Sequence, residues 1–111
     1  MTKYFMFGKY SSEAVKGISA KRTDKVVDII KKFGGKVDGM YALIGEHDLV
    51  FIVDLPGNDE LIQVSVALNK LTGIGFTSAP AITVDQFDRL MKKVCINEAI
   101  TGGRQWNWKL P

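Results

Sequence analysis

One cysteine and one histidine in 111 residues remove more chemistry from consideration than any motif adds. A lone Cys95 excludes an internal disulfide, and its place beside Val94 and Ile96 suits a small buried apolar residue. With His47 as the sole histidine and no Cys/His spacing, no metal site is expected. The chain also lacks any block of five or more basic residues. Its formal charge of +3 therefore reads as a solvated surface, and no nucleic-acid partner is expected. No apolar run approaches the roughly 20 residues that span a bilayer, so no membrane partner is expected either. The first ten residues lack a small-residue cleavage site and read as a strand, not a signal peptide, which makes the cytoplasm the expected location. Nothing in the chain calls for a cofactor.

What is present is the composition of a folded domain. With 46% hydrophobic and 24% charged residues the chain has enough apolar surface to fold, which argues against disorder. Its length suits one domain that buries about two-thirds of the unfolded chain's surface.

Aromatic residues from Tyr4 to Tyr10 suit a strand. Ser11 and Ser12 can cap a helix that carries Val15, Ile18, Val26, Ile29, Ile30 and Phe33 and stops at Gly34-Gly35. Gly17 and Thr23 weaken its first half, where a break is expected. Lys36–Ile44 reads as the second strand, then a polar Gly45-Glu46-His47-Asp48 turn, then a third strand, Leu49–Leu55. Asn58 or Asp59 is the expected cap of a helix with Leu61, Val64, Ser65, Leu68 and Leu71 on one face, closed by Gly73 and Gly75. Phe76–Val84 follows as a strand whose Pro80 suits a sheet edge, because proline donates nothing to a ladder. Asp85 is the expected cap of a short last helix holding Phe87, Leu90, Met91 and Val94.

The order βαββαβ plus a C-terminal helix predicts an α+β, ferredoxin-like fold with the first and third strands central. The expected division is a domain over 1–95 and a tail over 96–111 without apolar period. Two helices cover one sheet face only. The central strands nevertheless carry apolar residues on both: Tyr4 and Met6 point one way, Phe5 and Phe7 the other, and Val50 and Ile52 oppose Leu49, Phe51 and Val53. Each large side chain left bare forfeits about 1.5–3 kcal/mol. The sequence therefore predicts a partner for the open face, most economically a second copy, packed sheet to sheet as a dimeric α/β barrel.

Phe7-Gly8-Lys9-Tyr10, Phe33-Gly34-Gly35-Lys36, the Gly45-Glu46-His47-Asp48 turn with its apolar strand, and Asp85-Gln86-Phe87 together resemble the GYD domain proteins. That resemblance covers about nine-tenths of the chain and implies the same fold and barrel assembly, with no assigned chemistry. The family usually has Gly-x-Tyr-Asp in the turn; here His47 stands at the tyrosine position, so no role of that phenol carries over.

Several residues are candidates for function. His47, with Asp48 to orient it, is the candidate acid–base pair of a cofactor-independent monooxygenase or isomerase. The competing reading gives Gly45 a positive φ, Asp48 a role in bonding turn amides, and His47 an exposed position. Tyr10, Tyr41 and Thr77 are candidate ligand contacts; Tyr4 could join them, and each of the three tyrosines is equally plausible as a core residue. The glycine pairs Gly34-Gly35, Gly73-x-Gly75 and Gly102-Gly103 do not match phosphate-loop spacing. Lys16, Lys21, Arg22, Lys25, Lys31 and Lys32 are expected on the solvated outside of the first helix. Trp106 and Trp108, alternating with polar residues, are expected to dock at an oligomer contact. The favoured reading is a small homo-oligomeric binding or accessory module for a partly apolar small molecule; the alternatives are the enzyme above or a structural subunit of a larger complex.

Overall fold

Four strands form one antiparallel sheet in the order β2-β3-β1-β4, where β1 is Thr2–Lys9, β2 is Lys36–Ala42, β3 is Leu49–Leu55 and β4 is Gly75–Ala81. The computed structural model describes residues 1–100, with side chains described through residue 94. Helices α1 (Ser12–Lys16) and α2 (Ala20–Lys32) link β1 to β2, and α3 (Asn58–Thr72) links β3 to β4. The fold is α+β and ferredoxin-like, and the two most apolar strands occupy the centre, as their composition requires. Pro80 lies on the edge strand β4 opposite Tyr4.

The core lies between one sheet face and the helices. Tyr4, Met6, Phe51, Val53 and Leu55 meet Val26 and Ile30 of α2 and Val64 and Leu68 of α3, all of them buried. Tyr4 carries a hydroxyl into this layer, and the hydroxyl donates to Asn58 Oδ1 at 2.6 Å. Tyr4 is therefore a core residue rather than a ligand contact. The alternate residues form the other face, where Phe5 stands opposite Ile52 and Ala79, and Phe7 opposite Val50 and Thr77. Tyr41 pairs with Val50 on the same face; its ring lies over Gly39, where a Cβ would meet Tyr41 Cε2 at 3.0 Å.

Local chemistry moves several boundaries. The first helix is two helices: Ser11 caps α1, its Oγ accepting from Ala14 N–H at 3.0 Å, and Ser19 caps α2 by accepting from Arg22 N–H at 3.1 Å. The second strand ends at Ala42, not Ile44, because Leu43 N–H turns to Asp48 C=O at 2.8 Å to close the hairpin. Ile44 is left fully exposed. Gly57, not Asn58 or Asp59, caps α3, without a side-chain bond; Asn58 is already helical and its side chain is taken by Tyr4. The buried stripe of α3 is Val64, Leu68 and Thr72, and Leu71 is exposed. Gly73 alone closes that helix, since Gly75 already begins β4.

The chain divides into two units, Met1–Ala81 and a second starting at Ile82. In the second, α4 spans Val84–Ile100. Thr83, not Asp85, caps it: its Oγ1 accepts from Gln86 N–H at 3.1 Å and its carbonyl from Phe87 N–H at 2.9 Å. The helix passes residue 95, where an aperiodic tail was expected, through Glu98 and Ala99, both strong helix formers. Phe87, Leu90 and Val94 are exposed along it. The Cys95 side chain and Trp106 and Trp108 lie outside the described residues. Among those described, no helix is long and apolar enough to cross a membrane, and no group of three or more His, Cys, Asp or Glu residues could hold a metal ion.

Candidate functional site

The hairpin turn between β2 and β3 is held against the exit of β1. Asp48 N–H donates to Gly8 C=O at 2.9 Å, and Asp48 Oδ2 accepts from Tyr10 N–H at 2.8 Å. Lys9 Nζ adds a bond to the Glu46 carbonyl at 3.0 Å. Gly45 has φ +145°, a conformation that side-chain-bearing residues rarely adopt. Of the turn geometry expected without catalysis, the positive φ of Gly45 is present, but the Asp48 side chain binds Tyr10 N–H rather than a turn amide, and His47 is half-buried rather than exposed.

Tyr10, His47, Asp48 and Thr77, all candidates from the sequence, meet at one end of the sheet, but they split between its two faces. The His47 ring stacks on Phe7 with centroids 5.0 Å apart and planes tilted by 33°. Thr77 is the cross-strand neighbour of Phe7 and is exposed. His47 and Thr77 therefore flank Phe7 on the sheet face opposite α2 and α3, which Tyr41 shares. Asp48 does not orient His47 among the described contacts; its carboxylate is engaged by Tyr10 N–H.

Tyr10 belongs to the helix side. There a cleft of about 190 Å³ opens between the α1–α2 junction and the sheet. Val26, Met40, Phe51 and Ile74 provide an apolar floor, and Tyr10, Ser19, Arg22 and Thr23 bring polar groups to the lining. Tyr41 also contributes to the lining. The volume somewhat exceeds that of a cavity of about 150 Å³ that holds benzene, which sets the scale of a ligand.

Arg22 is the functional candidate that periodicity misses. It is not spread on the outer surface of the helix as expected, but half-buried. Its Nη1 donates to Ala14 C=O at 2.6 Å, and its Cζ lies 6.0 Å from the centre of the Tyr10 ring, at the limit of a cation–π contact. The cause is the break at Gly17–Ser19: once α2 starts at Ser19, Arg22 falls in its first turn and faces back toward α1. The missed signal is Ser19 itself, a capping residue directly before a new helical run.

At the other end of the sheet, Lys3 pairs with Asp38 and, at 3.3 Å, with Asp54, while Lys36 lies 4.0 Å from Asp54. Asp38 sits in the register irregularity between Val37 and Gly39. The hydrogen bond from Lys3 holds the Asp38 carboxyl below its ordinary value, and the same bond raises Lys3.

Comparison with known proteins agrees with this architecture. The crystal structure of the leucine response regulatory protein LrpA of Mycobacterium tuberculosis is similar over 74% of this chain and 51% of its own, at 12% identity and a TM-score of 0.50. A glycine-to-threonine mutant of Rv3291c is similar over 75% and 51%, at 11% identity and a TM-score of 0.50. The chain thus spans about half the length of these structures, and the likeness is one of fold. No curated protein gives a significant match. The family model of the GYD domain covers residues 4–91, from the Tyr4 strand through the first half of α4, and the chain belongs to the GYD domain family.

Proposed function

We propose that the protein is a homodimeric binding module that holds a small, partly apolar molecule between its sheet and the α1–α2 junction. The observation that carries this reading is the cleft, in which buried Val26, Phe51 and Ile74 lie beneath the polar groups of Tyr10, Ser19, Arg22 and Thr23. Apolar walls with a few convergent polar groups are the usual composition of a small-molecule site.

Self-association is supported by the open face. Phe5, Phe7, Val50, Ile52 and Tyr41 share it; Tyr41 is exposed, Phe5, Phe7 and Ile52 are half-buried, and Val50 is buried. A second copy offers the same surface and satisfies both faces at once. Catalysis by His47 and Asp48 gains no support from the geometry, since the carboxylate bonds a main-chain amide and the imidazole lies on Phe7.

Two measurements test the reading. Sedimentation equilibrium at micromolar concentration should give twice the 12.3 kDa chain mass. Amide-shift titration with isobutanol and benzyl alcohol should move Val26, Met40, Phe51 and Ile74 together. A monomer removes the dimer, and unmoved resonances at those four positions remove the binding site.

A further inference from the structure

We infer that the cleft selects a small carboxylate with a branched or aromatic body, and that Arg22 is the residue that recognises the charge. This rests on the reading of the cleft as a binding site and names the ligand class it takes.

Arg22 is only partly satisfied. A guanidinium has five N–H donors. Nη1 donates to the Ala14 carbonyl, and among the described residues no carboxylate pairs with the group and no other protein acceptor receives its donors. Half-buried in the lining of an apolar cleft, its remaining donors point to an anionic acceptor of planar, two-oxygen shape.

The guanidinium is also placed by the backbone rather than left to wander. Ser19 fixes the start of α2 three residues earlier, Ala14 ties Nη1, and Gly17 gives it passage. A Cβ at Gly17 would fall 2.9 Å from Nη1 and 3.9 Å from Cζ. Gly17 has φ −96°, which any residue adopts, so space and not conformation is what glycine supplies there. A side chain at 17 would push the guanidinium away and leave the backbone undisturbed.

The lining also sets the sign of the ligand's charge. Among the described residues, no Asp or Glu lines the cleft. An ammonium carried into it would meet a cation and lose hydration with no partner, a costly burial. Cationic ligands are thereby rejected, and zwitterionic ones can enter only with the ammonium left in water. Beneath the charge, Val26, Met40, Phe51 and Ile74 accept an apolar group, and 190 Å³ suits a benzoate-sized body.

The test compares three probes that share one ring, benzoate, benzyl alcohol and benzylamine, by amide-shift titration of the full chain. Benzoate should bind about tenfold more tightly than benzyl alcohol, the factor expected of one charge-assisted bond at a half-exposed site, and benzylamine weakest. Arg22→Gln keeps the helix start, because glutamine three residues after Ser19 completes a capping box; it should reduce benzoate to the affinity of benzyl alcohol. Gly17→Ala should weaken benzoate and leave benzyl alcohol unchanged. If benzyl alcohol matches benzoate on the native chain, or Arg22→Gln keeps the preference, the carboxylate assignment fails while the cleft remains a binding site. If none of the probes moves Val26, Phe51 and Ile74, both fall.

Discussion

The carboxylate of Asp48 accepts the main-chain N–H of Tyr10 at 2.8 Å, and this bond joins the turn between β2 and β3 to the segment leaving β1. The same residue's N–H binds Gly8 C=O and its C=O receives Leu43 N–H. One aspartate thus closes its own hairpin and fastens it to the neighbouring strand.

Asp48→Ala should therefore cost stability rather than chemistry. It leaves the partly buried Tyr10 N–H without its charged acceptor, a loss of about 1–2 kcal/mol. Asp48→Asn keeps an oxygen acceptor and should lose less. His47→Ala removes only a half-exposed ring stacked on Phe7 and should cost under about 1 kcal/mol. Urea denaturation of the three variants gives this order; an Asp48→Ala chain as stable as the native one would show that the turn is held by its backbone bonds alone.

The Lys3–Asp38 pair predicts a pH window. Asp38 titrates below its ordinary value of 3.8 because Lys3 donates to it, so its contribution is present above that value and disappears as pH falls through the lowered one. Lys3 is raised above 10.5 mainly by the same bond, so its contribution is complete below 10.5 and is lost as pH climbs through the raised value. The thermal midpoint of Lys3→Met should lie below that of the native chain from about pH 5 to pH 9 and converge with it near pH 2. Since the pair is exposed to solvent, the gap should narrow in 1 M salt. A gap that persists undiminished at pH 2 would assign Lys3 to packing instead.

Adjacent glycines after α2 predict two different penalties. Gly34 has φ +83°, so Gly34→Ala strains the backbone and should cost about 1–2 kcal/mol. At Gly35 the obstacle is space: a Cβ would sit 2.5 Å from Leu55 Cδ2 and 2.6 Å from the Asp54 carbonyl. Because backbone must shift to admit it, Gly35→Ala should cost about 2–3 kcal/mol. Leu55→Ala should recover little of this, as the Asp54 carbonyl remains in the way. Equal penalties at the two positions in chemical denaturation would contradict the distinction.

What the sequence makes legible here follows from periodicity. The bounds of β3, its central place beside β1, and the edge position of Pro80 all follow from runs of apolar residues and from the missing amide of proline. The cluster at the turn end is also foreseeable from topology, since a βαββαβ order brings the exit of β1, the β2–β3 turn and the start of β4 together. What escapes is set by single hydrogen bonds between distant residues. The Asn58 side chain reads as a cap until Tyr4 takes it, and Ile44 reads as strand until Asp48 closes the hairpin one step earlier. Arg22 reads as one solvated charge among six because its direction depends on whether the helix starts at Ser12 or restarts after Ser19. The break at Gly17–Ser19 lets α2 take its own direction, which sets Arg22 against Ala14 and Tyr10 instead of in water.

The open sheet face gives the last prediction. Ile52 stands opposite Phe5 on β1 and Gly39 on β2, near the middle of the surface proposed to meet a second copy, and it is only partly buried in one chain. Ile52→Lys places a long cation there. In a single chain the lysine can extend toward water, so the fold should survive with little change in far-UV circular dichroism. In a sheet-to-sheet dimer two such cations would be brought into an apolar interface, each losing hydration without a partner. Sedimentation equilibrium should then show a folded monomer for Ile52→Lys against a dimer for the native chain. Tyr41→Phe, which keeps the ring over Gly39 and removes only a hydroxyl, should stay dimeric. If Ile52→Lys sediments as a dimer, the copies meet through another surface and the open face is not the interface.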